Sequence, residues 1–146
     1  MISKLLLFLI FAYSSIFANS VYDLNLLSLQ SKVFPKVVLA DNDINEKVVD
    51  NKIVLTILYE EIDAHIAYTF KKMIEQNYPK LKDFEVTLRL LQYKDFSQKT
   101  QLDTAYIFLL GKEKYVTEIS HFITKNKRLS FSYDKGSKIV FLRWQK

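Results

Sequence analysis

Two histidines, no cysteine and sixteen carboxylates define what chemistry this 146-residue chain can attempt. His65 falls at helical spacing with Thr69, Lys72 and Gln76, and His121 with Lys114, Glu118 and Lys125. Both sets form polar faces, on separate helices. Histidines so placed make neither a metal site nor a base for a nucleophile, and without a thiol no triad can be assembled. No catalytic residue, metal ligand set or cofactor is therefore expected, and the chain reads as non-enzymatic.

Phosphate cradles need clustered glycines so that backbone N–H groups can approach the anion. Gly111 and Gly136 stand alone, which excludes a P-loop or dinucleotide fingerprint. Asp41-Asn-Asp-Ile-Asn45 opens like a calcium loop, but Glu46 replaces the turning glycine and Lys52 the bidentate glutamate. That segment reads as a solvated loop.

The remaining place for chemistry is wherever parallel strands end, because ligands of such sheets bind beyond the carboxyl ends. Lys52–Tyr59 (KIVLTILY) and Thr104–Leu110 (TAYIFLL) are continuous apolar runs of the kind buried on both faces of a parallel sheet. Phe84–Leu91 alternates, with Phe84, Val86, Leu88 and Leu90 on one face, and is expected near a sheet edge. Arg128–Tyr133 alternates too, and a turn at Asp134–Ser137 leads to Lys138–Trp144. The candidate ligand-binding residues at the strand ends are Tyr59, Glu60, Tyr93, Lys112, Tyr133 and Asp134.

Helices separate these strands. Tyr22, Leu26, Leu29 and Val33 form a stripe over Val21–Phe34 that Pro35 should end. Asp63 can cap a helix carrying Ile66, Phe70, Met73 and Ile74 up to Pro79. Glu113–Lys125 turns Tyr115, Ile119, Phe122 and Ile123 inward. With two glycines and two prolines, the chain is a poor candidate for a sandwich of many short strands. The order predicts an α/β domain: a mostly parallel sheet of four to five strands, helices on both faces, and a C-terminal antiparallel hairpin.

The first twenty residues give the compartment. A basic start at Met1–Lys4, an apolar run at Leu5–Ala12 and small residues up to Ser20 match a secretory signal peptide, cleaved after Ala18 or Ser20. About 14 apolar residues fall short of the roughly 20 that span a bilayer, so no stable anchor is expected after cleavage. Residues 1–20 are thus read as leader and 21–146 as one exported, periplasmic domain. Losing the leader removes one lysine and no acid, so the net charge falls from +5 to +4. Basic residues interleave with acids and form no concentrated patch, which argues against nucleic acid as a partner. An exported domain without cysteine must stand on packing, and a composition 49% hydrophobic and 14% aromatic permits it.

From the first mature helix to Asp134 the chain resembles the YfiR-like family of periplasmic proteins. The likeness lies in Lys32-Val-Phe-Pro-Lys36, the strand Lys52–Tyr59, Asp103-Thr-Ala-Tyr106 opening the next buried strand, Arg128-Leu-Ser-Phe-Ser-Tyr-Asp134 and Gly136-Ser-Lys-Ile-Val-Phe141. The chain departs in having Gly136-Ser137 where the family has paired glycines, in stopping at Lys146, and in lacking cysteine. The resemblance implies a non-enzymatic regulator that holds an inner-membrane signalling protein, of diguanylate cyclase or kinase type, in one state by binding its periplasmic part. Self-association, or a small-solute-binding α/β domain, is the alternative. Ile139, Phe141 and Trp144 on the last apolar strand are the candidate partner-binding residues, through strand addition or an aromatic anchor.

Overall fold

A computed structural model describes residues 21–99 and 102–133. The Asp23 carboxylate accepts hydrogen bonds from the Asn25 and Leu26 N–H groups at 2.8 and 3.3 Å and caps α1, Leu24–Val38. Two expectations for this helix are corrected. It runs through Pro35 to Val38, because its last turn buries Phe34 and Val38. That burial offsets an interior proline's cost of roughly 3 kcal/mol. The buried face is Leu27, Gln30, Ser31, Phe34 and Val38, and Leu29 is 57% exposed. The helix is turned to bring Phe34 inward, where its ring stacks on Phe131 at 4.6 Å and meets Phe70 edge-on at 6.4 Å.

The segment that follows is less solvated than its composition suggests. Within it α2, Ile44–Lys47, brings Lys47 Nζ to 2.5 Å from the Asp41 carboxylate, with both side chains over nine-tenths buried. Asp50 and Asn51 adopt φ of 50° and 60° between reciprocal Val49–Lys52 backbone bonds of 2.9 Å. This is a two-residue turn with both central residues left-handed, a geometry that Asn and Asp tolerate.

The strands are β1 (Lys52–Tyr59), β2 (Lys80–Leu81), β3 (Phe84–Gln92), β4 (Ala105–Phe108) and β5 (Leu129–Ser132), in the order β2-β3-β1-β4-β5. All neighbours are parallel except β2 with β3. The chain therefore forms the α/β, mostly parallel sheet that its sequence predicts. β3 keeps its alternation and lies one strand in from the edge, outside which sits only the two-residue β2. The expected hairpin strand, 138–144, lies outside the described residues.

Helices cover both faces. Ile66, Phe70 and Ile74 of α3 (Ala64–Asn77) join α1 on the face carrying Ile53, Leu55, Ile57 and Ile107. Ile119 and Ile123 of α4 (Glu113–Lys125) cover Leu58, Tyr106 and Phe108 on the other. Right-handed crossovers that run outward in opposite directions from the sheet centre require this division. Among the described residues no helix is long and apolar enough to cross a membrane.

The return from β3 to β4 has a single 3₁₀ turn, Tyr93–Asp95, and no α-helix in its described part. Phe96 covers the sheet there instead, edge-on to Tyr106 and Phe122 at 6.3 and 5.7 Å. A polar clamp holds the end of this return. Buried Asp103 accepts from the Thr56 hydroxyl, its two carboxylate oxygens accept from Arg89 Nη1 at 2.9 and 3.0 Å, and its own N–H donates to the Tyr106 hydroxyl at 2.9 Å. Thr56 is fully buried in the middle of the central strand. Asp103→Ala would leave its hydroxyl unpaired, so the variant should lose about 1–3 kcal/mol in urea unfolding. A variant as stable as the parent would remove the clamp from this account.

Candidate binding cleft

Chain order reverses at the sheet centre, where β1 lies between β3 and β4. Such a switch point leaves a crevice outside the carboxyl ends of the strands. Here it is a cavity of about 550 Å³. After β1 come Glu60, Glu61, Ile62 and Asp63, after β4 come Leu110, Gly111 and Lys112, and the chain before α1 contributes Val21 and Tyr22. Val21, Ile62 and Leu110 are 61%, 85% and 36% exposed.

Tyr22 ties these three segments together. Its hydroxyl donates to Asp63 Oδ2 at 2.9 Å and accepts from the Leu110 N–H at 2.9 Å. Its ring lies 4.8 Å from that of Tyr133, whose hydroxyl accepts the Asp23 N–H at 2.7 Å. Burial, and after it the hydrogen bond to the Asp63 carboxylate, push the Tyr22 phenol well above the usual tyrosine range. Asp63 stands at the start of α3 but makes no side-chain cap. The carboxylate expected to cap the helix serves the phenol instead.

The rim is held by two further contacts. Glu60 Oε1 accepts the Lys112 N–H at 3.1 Å, and Lys94 Nζ meets Glu61 Oε2 at 3.0 Å. Beneath the rim the Tyr93 hydroxyl donates to the Leu109 carbonyl at 2.6 Å. A Cβ on Gly111 would lie 2.4 Å from Cε2 of that fixed ring. Glycine is required there because the loop after β4 passes directly over Tyr93. The cleft thus has an apolar interior, and its acidic groups are engaged at the margin.

Of the strand-end residues singled out from sequence, Glu60 and Lys112 meet in the cleft wall. Tyr93 and Tyr133 are buried supports beneath it, and Tyr59 is half-buried against the core. Asp134, Ile139, Phe141 and Trp144 lie outside the described residues. Sequence reasoning missed Val21, Tyr22, Ile62, Asp63 and Leu110 as lining groups. The one available signal was Ile62, an apolar residue in a run of acids. His65 and His121 are both exposed. Among the described residues no three His, Cys, Asp or Glu side chains converge to hold a metal ion. No family model, curated protein or solved structure matches the chain.

Burial also raises Tyr93 and Tyr106, so the folded chain retains phenolic protons that the unfolded chain releases near pH ~10. Their stabilisation is complete below that pH and is lost as pH rises through it toward the folded values. The urea midpoint should hold steady from about pH 7 to 9 and fall above about pH 10. Tyr22→Phe and Tyr93→Phe should each make the fall shallower. An equally steep fall in both variants would contradict this.

Proposed function

We propose that this chain is an exported binding domain, with no reaction of its own, that uses the cleft to dock the periplasmic part of an inner-membrane signalling protein of diguanylate cyclase or kinase type. The observation that carries the proposal is the convergence of Val21, Ile62 and Leu110 on one crevice while the neighbouring polar groups bond to one another. Apolar side chains left exposed at a ligand-binding position of the fold gain most from covering by a partner. The resemblance to YfiR-like proteins gives the class of partner. Regulation then needs only a difference in affinity for the partner's two states. A small-solute site is the second reading, supported by a cavity volume within the range of small-ligand pockets; a solute that binds would raise the melting temperature with concentration.

The test is photo-crosslinking in intact cells from position 62, with exposed Glu75 on α3 as the control position. Position 62 should yield an adduct with an integral inner-membrane protein and position 75 none. The crosslinked chain should lack its first 18 or 20 residues by intact mass. No membrane-protein adduct, or the same adduct from both positions, would overturn the proposal.

A further inference from the structure

We propose that the cleft has an occupant of its own: the segment 138–146 of the same chain, with Trp144 covering Ile62 and Leu110 and competing there with any external partner. Position, reach and chemistry point to it. The chain leaves the described residues at the carboxyl edge of the sheet, where the Tyr133 N–H donates to the Phe108 carbonyl at 2.8 Å. The Tyr133 ring is 4.8 Å from Tyr22, itself part of the cleft wall. Residues 134–144 can reach roughly 36 Å when extended, ample for a neighbouring crevice.

Chemistry matches as well as reach. Residues 134–146 carry Ile139, Val140, Phe141, Leu142 and Trp144, with Lys135, Lys138, Arg143 and Lys146 against the single acid Asp134, a formal +3. The cleft offers exposed apolar side chains, and Glu60, Glu61 and Asp63 against Lys112 and the rim's Lys94, a formal −1. Tethering raises the effective concentration to about millimolar, so a weak intrinsic affinity suffices.

The competing arrangement is the hairpin expected from sequence. Folding 138–144 back along β5 from a turn at 134–137 sets Arg143 opposite Arg128. Like charges directly opposite each other destabilise a strand pair. Among the described residues, the buried Nε and Nη1 of Arg128 already have no hydrogen-bond partner. That register would also carry Trp144 to the amino end of β5, away from the cleft.

The inference shares its cleft with the proposed function, but its test needs no partner, so the two can fail separately. Trp144 is the sole tryptophan, and its fluorescence in the processed chain reports its surroundings. Emission should be blue-shifted and protected from acrylamide relative to the urea-unfolded chain, at every protein concentration. Ile62→Lys alters a side chain 85% exposed and should leave the circular dichroism intact. It should move the emission to the unfolded position, and Glu61→Lys should move it partway. Trp144 shielded but indifferent to Ile62→Lys would place the segment elsewhere, shielding lost on dilution would make the occupant a second copy, and an unshielded Trp144 would leave the cleft open. Each of these overturns the proposal.

Discussion

One phenolic hydroxyl fixes the geometry on which the cleft depends. Tyr22 precedes α1, Asp63 opens α3 and Leu110 follows β4, so its two hydrogen bonds join segments far apart in the chain. Without them the start of α1 would keep one polar tie, the Asp23 N–H donated to the Tyr133 hydroxyl after β5, and none to the ends of β1 and β4. Apolar contact is non-directional. Hydrogen bonds are directional and of fixed length, and leaving these part-buried groups unpaired is costly. That directionality is why Val21 and Ile62 face one crevice.

The two faces of the sheet are stabilised differently. On the face under α1 and α3, Phe34 lies between Phe70 and Phe131, and the core is apolar but for Gln30 and Ser31 of α1. On the opposite face α4 covers β4, while the return from β3 supplies Phe96 and the Asp103 clamp. Polar pairing therefore does there what a second helix would do by burial. The register places Arg89, Thr56, Tyr106 and Ser130 in one row across four strands, and Asp103 bonds to the first three. The clamp closes the return at the amino end of β4, away from the cleft, whereas the return's first residues, Tyr93 and Lys94, support and rim the cleft itself.

Strands were legible in the sequence because apolar runs and alternation are local signals. Lys52–Tyr59 is buried from Ile53 to Leu58, and Phe84–Gln92 exposes Glu85, Thr87 and Arg89. The face of α1 was not legible, since the more apolar stripe through Leu29 is not the one buried, and Phe34 turns inward onto Phe131, nearly a hundred residues away. The same holds for Lys47, which reads as a surface lysine until Asp41 is found beside it. The cleft was half legible: carboxyl ends of strands could be located, and with them Glu60 and Lys112. Tyr22 and Asp63 had each a sufficient local explanation, as core residue and as helix cap. Pairing between residues 41 apart leaves no trace in either pattern.

The most direct test of the central claim is amide hydrogen exchange at Leu110 in Tyr22→Phe. The Leu110 N–H is bonded to the Tyr22 hydroxyl, whereas the adjacent Leu109 N–H donates to the Leu58 carbonyl at 2.9 Å and serves as an internal control. Removal of the hydroxyl should speed exchange at Leu110 about tenfold, the worth of one hydrogen bond, and leave Leu109 unchanged. Exchange at Leu110 as slow as in the parent, or equal acceleration at both amides, would contradict the claim that this hydroxyl fixes the cleft.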